Sequence, residues 1–124
     1  MCHNNHLEQY KDKNIRLINQ QNQGLARSRN NGIALSRGRY ILPLDSDDKL
    51  HLEMLQRTVS LLEANPEIAI AYTDLIHFGA ANKVVQAAEY DFKLLPHQNH
   101  LNYCSLYRRE AWDAVGGYNP NMTW

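Results

Sequence analysis

Three carboxylates fall within four residues at Asp45, Asp47 and Asp48, directly after the apolar run Tyr40-Ile41-Leu42-Pro43-Leu44. Like charges at this spacing repel, and ending a strand in them adds a desolvation cost. Two arrangements relieve it. On extended chain, residues two apart project to the same side, so Asp45 and Asp47 can share one divalent cation. Hard oxygen ligands suit Mg²⁺ or Mn²⁺, ions that keep part of their shell for water and substrate phosphates. Alternatively, Asp47 or Asp48 caps a helix starting near Lys49, which accounts for one or two carboxylates but not for three. A calcium loop of the EF-hand type is excluded, because Leu50 stands where that loop requires glycine.

A second polar group precedes the first: Asn22, Gly24, Arg27, Arg29 and Asn30 flank a helix start. Helix N-terminal donors with arginines form a candidate phosphate site, and an exposed basic helix face is the plainer reading. Cys2, His3 and His6 lie in the polar terminus and lack further positioned ligands for zinc. His51, His97 and His100 are scattered in polar surroundings, and Cys104 within an apolar run reads as a small core residue.

The elements that must position these residues follow from periodicity. Residues 7–13 read as the end of a helix and residues 15–19 as a short strand. Residues 25–36 have helical spacing, with Gly38 placed to end that helix. Residues 40–44 form the next strand, where Pro43 removes one ladder donor. Leu50, Leu52, Met54, Leu55, Val59, Leu61 and Leu62 trace an amphipathic helix ending near Asn65-Pro66. Residues 68–74 form a strand that again ends in aspartate, Asp74. The stretch from residue 80 to 93 reads as an exposed hairpin or loop, residues 103–107 as a final strand, and residues 109–115 as a short helix ended by Gly116-Gly117. Alternating strands and helices with short connections predict an α/β layered domain with a largely parallel sheet. In such sheets ligands bind beyond the carboxyl ends of the strands, where Asp45, Asp47, Asp48 and Asp74 all stand.

Composition bounds the partners. The 124 residues hold 13 basic and 13 acidic side chains, so no global polycation draws nucleic acid. Arg27, Arg29, Arg37 and Arg39 also lack interleaved aromatics. No apolar run approaches the roughly 18 residues of a membrane span, and the polar start has no secretory h-region. Two widely separated cysteines, Cys2 and Cys104, suit a reducing compartment, hence a cytoplasmic location. No P-loop or Gly-x-Gly-x-x-Gly run supports a phosphate-hydrolysing enzyme.

The ordered set Asn22-x-Gly24, Ala26-Arg27-x-Arg29-Asn30-x-Gly32-Ile33, Ser36-Arg37-Gly38-Arg39-Tyr40-Ile41-x-x-Leu44-Asp45-Ser46-Asp47-Asp48 resembles the family 2 glycosyltransferases. Asn65-Pro66, Tyr72-x-Asp74, Phe78-Gly79 and Arg108-Arg109-x-x-Trp112-x-x-Val115-Gly116-Gly117-Tyr118-x-Pro120 continue it in the same order. The resemblance implies a partial GT-A fold, three layers about a mostly parallel sheet. It implies transfer of a sugar, with inversion, from a metal-bound nucleotide-diphosphate donor to the hydroxyl of a glycan or lipid-linked acceptor. By residue, it implies Asp45 and Asp47 at the Mg²⁺ or Mn²⁺ ion and the donor, with Asn22, Gly24, Arg27 and Asn30 beside the nucleotide. The segment Gly116-Gly117-Tyr118 would lead to the acceptor side.

Against the family pattern, residues 1–124 form an incomplete domain. The opening strand–helix–strand is absent, and the catalytic base is expected beyond Trp124. A non-catalytic nucleotide-sugar-binding or assembly module on the same scaffold is the alternative. The family's missing strands would sit between residues 15–19 and 40–44, so either these two strands pair directly or a homodimer forms through the exposed sheet edges.

Overall fold

The computed structural model describes residues 14–99 and 101–122. The helix end expected over residues 7–13, the group Cys2, His3 and His6, and His100 lie outside them. The chain divides into two compact units, one containing residues 14–36 and 118–122 and the other Arg37–Gly117.

In the first unit, helix α1 spans Leu25–Leu35. The Asn22 side chain accepts the Gly24 N–H at 3.1 Å, making an Asx turn that delivers the chain into the helix. Gly24 is the N-cap with φ 82° and ψ 167°, a region open essentially to glycine alone. The helix stops at Leu35, three residues before Gly38. Ser36 ends it instead, its backbone N–H and hydroxyl both donating to the Ile33 carbonyl at 3.0 and 2.8 Å. Arg16 also donates to the terminal Leu35 carbonyl. The strand expected at residues 15–19 does not form: this stretch is irregular, with Ile15 and Leu17 each 51% exposed. Without a buried face to set its register, the short apolar alternation has nothing to pair for. Among the described residues no strand pairing joins this stretch to residues 40–44.

The second unit holds a three-stranded sheet and a hairpin. Strands β1 (Tyr40–Ile41), β2 (Ile70–Ala71) and β5 (Leu106–Arg108) are ordered β1-β5-β2. Strands β3 (Leu75–His77) and β4 (Lys83–Val85) pair separately as a hairpin that begins before residue 80, so only β4 lies in the stretch of residues 80–93 expected to hold a hairpin or loop. Helix α2 (Met54–Ala64) connects β1 to β2, and α3 (Arg109–Val115) follows β5 without a break.

The expected largely parallel sheet needs correction. Every strand pairing among the described residues is antiparallel. The β1–α2–β2 crossover does make β1 and β2 point the same way, as the alternation of elements implies. They are not neighbours, however, because β5 enters between them in the opposite direction, with Tyr107 opposite both Ile41 and Ile70.

The core forms where α2 covers this sheet. Leu62, Ala71 and Leu106 are buried together, with Tyr40, Leu42, Val59 and Ile68 packed on them. Arg108, only 7% exposed, donates from Nε to the Ile68 carbonyl at 2.8 Å and from Nη2 to the carbonyls of Leu62 and Asn65. The central strand thus adds a side-chain donor to the end of α2, where the Leu62 and Asn65 carbonyls also accept the N–H groups of Asn65 and Ile68.

Candidate functional site

Sheet register brings the acidic loop and a distant segment together. Because β1 and β2 are co-directional, their carboxyl ends lie at one end of the sheet, and there antiparallel β5 begins. With Ile41 opposite Tyr107 and Ala71 opposite Leu106, the chain leading into β5 runs beside the chains leaving β1 and β2. Side chains fasten this arrangement. The Cys104 thiol donates to Asp48 Oδ2 at 3.2 Å, and Asn102 Nδ2 donates to the Thr73 carbonyl at 2.8 Å. Buried Ser105 donates back to the Asn102 carbonyl.

The acidic residues occupy a turn closed by the Asp48 N–H to the Asp45 carbonyl at 3.1 Å. Asp45 and Asp48 are half-buried and Asp47 is exposed. None of them caps α2. That helix starts at Met54, its N-cap is Glu53, and no side chain caps it. The capping explanation of the carboxylates therefore fails here. Asp74 is exposed, and its Oδ1 accepts the Ala87 N–H at 2.7 Å, tying the β3–β4 hairpin to the strand end. Lys49 stands 5.2 Å from the centre of the Phe78 ring, the cation on this loop.

Cys104 is not the core residue expected from its apolar surroundings. It is half-buried and faces the carboxylates. Burial, the hydrogen bond to Asp48 and the Asp48 charge push its thiol up to about 11, against a smaller opposing hydrogen bond from the Asp45 backbone. The Tyr103 phenol is also raised, first by the Asp48 charge, then by burial and by Cys104, Asp45 and Asp47. The Asp48 charge contributes to both shifts, first in order at Tyr103 and behind burial at Cys104. Neither residue could be placed here from sequence, since the contact with Asp48 spans 56 positions.

Among the described residues no three His, Cys, Asp or Glu side chains converge as an all-protein metal cage. Residues 45–48 form a turn, not the extended chain on which Asp45 and Asp47 were expected to project to the same side.

Asn22, Gly24, Arg27 and Asn30 belong to the first unit, Asp45 and Asp47 to the second. Asn22 and Gly24 build the entry to α1, and Arg27 is exposed on its first turn. Asn30 is half-buried and holds the backbone of Tyr118. His51 and His97 are exposed, as their polar surroundings indicate.

An open cavity of about 270 Å³, lined by Arg39, Arg108, Arg109, Glu110 and Asp113, lies at the other end of the sheet. Its arginines are engaged internally: Arg108 on backbone carbonyls, Arg39 on Glu63 at 3.0 Å, and Arg109 on the Gly38 carbonyl at 2.6 Å. That cavity is part of the scaffold.

The unit gathers carboxylates beyond the carboxyl ends of the co-directional strands β1 and β2, and its class follows from the sequence. The sequence comparisons narrow this class. The family model described as glycosyl transferase family 2 matches residues 4–116, and the chain belongs to that family. Membership implies the GT-A α/β fold. An uncharacterised protein of Sinorhizobium fredii is 34% identical over 115 residues, covering 90% of this chain and 13% of that protein. Chondroitin synthase of Escherichia coli is 23% identical over 113 residues, covering 88% of this chain and 16% of the synthase. The chain thus spans less than a fifth of the length of these curated relatives. No solved structure matches. No helix among the described residues is long and apolar enough to cross a membrane.

Proposed function

We propose that this chain is the donor-binding part of a glycosyltransferase that moves a sugar from a nucleotide diphosphate to an acceptor hydroxyl with inversion. The observation that carries this reading is the carboxylate turn, residues 45–48, held at the carboxyl ends of β1 and β2 by Cys104 and the segment before β5. Asp45 and Asp47 would hold Mg²⁺ or Mn²⁺. When bound, that ion supplies positive charge to the diphosphate as it leaves.

The chain's own residues then have distinct tasks. Exposed Arg27 and the open N–H groups at the start of α1 bind phosphate oxygens, with Asn22 and Gly24 shaping the turn that presents them. Asn30 lies beside the nucleotide on the same helix. In the transfer, the bond from the anomeric carbon to the diphosphate oxygen breaks and a bond to the acceptor oxygen forms on the opposite face. The acceptor proton passes to a base that no residue of this chain is assigned to be. The likeness to chondroitin synthase favours a glycan over a lipid-linked acceptor. Separated cysteines support a cytoplasmic setting. Strand β1 stands at the edge of its sheet, and a second copy pairing along it would make the chain a dimer in light scattering. A concentration-independent monomer contradicts that assembly.

Calorimetric titration with Mn²⁺ and a panel of nucleoside diphosphates tests the donor-binding reading. Saturable binding that requires Mn²⁺ is expected. The absence of binding with every nucleotide would leave only an assembly module on this scaffold.

A further inference from the structure

Asn30, at the middle of α1, makes a two-point contact with residue 118. Its Nδ2 donates to the Tyr118 carbonyl at 2.8 Å, and its Oδ1 accepts the Tyr118 N–H at 2.9 Å. The carboxamide therefore engages the Tyr118 backbone as a neighbouring strand would, through one donor and one acceptor. The next residue toward the helix start reinforces it: the Arg29 guanidinium lies 5.8 Å from the centre of the Tyr118 ring. Gly116 and Gly117 precede this contact with φ of 76° and 85°, left-handed conformations that favour glycine and end α3. Asn119 then closes a local turn by accepting the Asn121 N–H at 2.9 Å.

We propose that Asn30 is a positioning residue that fixes the segment of residues 118–122 onto the helix presenting Arg27 to the donor phosphates. The inference rests on the donor-binding reading and gives Asn30 a role distinct from direct contact with the nucleotide. A donor seated on the first turn of α1 restrains that helix, and the clamp transmits the restraint to residue 118. Replacement by aspartate keeps an acceptor for the Tyr118 N–H, but it removes the donor and sets a negative charge against the Tyr118 carbonyl. Alanine removes both contacts.

The test is hydrogen exchange at the Tyr118 amide, read by NMR in the intact chain and its Asn30→Asp and Asn30→Ala variants, with and without Mn²⁺ and UDP, alongside calorimetry. Asn30→Ala is expected to speed exchange by about thirtyfold, the factor that accompanies loss of two net hydrogen bonds, and Asn30→Asp by less. UDP with Mn²⁺ is expected to slow the wild-type amide and to lose this effect in Asn30→Ala. Unchanged Tyr118 exchange in Asn30→Ala would overturn the clamp. Nucleotide binding without any response at Tyr118 would overturn the positioning role. If calorimetry shows that wild type binds no nucleotide, the donor-binding reading and the transmitted restraint fall together, while exchange without nucleotide still decides the clamp. Should Asn30→Ala fail to fold, Asn30→Asp carries the same comparison.

Discussion

The guanidinium of Arg108, in the central strand, donates to the carbonyl of Leu62, in the last turn of α2. Its other bonds reach Asn65 and Ile68, so one buried side chain supplies the C-terminal end of the helix and the turn beyond it. Truncation removes the Arg108 bonds from all three carbonyls where Leu62 is completely buried; those of Leu62 and Asn65 keep the N–H groups of Asn65 and Ile68 at 3.3 and 3.0 Å. Arg108→Ala should therefore cost about 3 kcal/mol in denaturant unfolding. Arg57, paired in solvent with Glu53 at 2.6 Å, is the control. Arg57→Ala should cost less than about 0.5 kcal/mol.

Glu63 accepts the Tyr40 hydroxyl proton at 2.6 Å and pairs with Arg39 at 3.0 Å. The Tyr40 hydrogen bond, aided by the charges of Arg39 and Arg108, holds the Glu63 carboxyl below its ordinary value. The same hydrogen bond raises the Tyr40 phenol. A depressed carboxyl contributes stability above its unfolded value and loses it as pH falls through the folded one. A raised phenol contributes below its unfolded value and loses it as pH rises through the folded one. Thermal melts of wild type and Glu63→Gln should differ near neutrality, with wild type higher, and converge only as pH falls below the ordinary carboxylate range through the depressed folded value. A constant difference across that range would contradict the assignment.

Two glycines around α1 predict opposite signs. At Gly24, φ is +82° and no atom of the described residues lies within 4 Å of an added Cβ, so among them Gly24→Ala meets backbone strain and no clash. It should lose about 1–3 kcal/mol. Gly32 sits inside the helix with equally open space around it. Gly32→Ala should gain about 0.5–1 kcal/mol, read in the same unfolding experiment.

How far the fold was legible depended on whether the signal was local. The apolar stripe through Met54, Val59 and Leu62 marks α2, and the run ending at Gly116-Gly117 marks α3 at its observed bounds. Strand direction leaves no such trace. The residues of β5 alternate like those of any strand, and its insertion between β1 and β2 depends on pairings more than thirty positions apart. The site divided likewise. Composition exposed Asp45, Asp47 and Asp48, whereas Cys104 looked like core because its neighbours are apolar, and its partner Asp48 is brought to it only by register. Asn30 was expected beside the nucleotide as part of the polar group at a helix start, and its engagement of Tyr118 crosses 88 positions.

The most direct measurement is Mn²⁺-dependent binding of nucleoside diphosphates to wild type and Asp47→Ala, by calorimetry under identical conditions. Asp47 is exposed on the turn of residues 45–48 and is neither a cap of α2 nor part of the core, so its replacement should leave the thermal melt nearly unchanged. The account predicts saturable Mn²⁺-dependent binding in wild type and its loss, by at least about tenfold in affinity, in Asp47→Ala. Equal affinity in the two proteins would contradict the assignment of the acidic turn to the metal and donor.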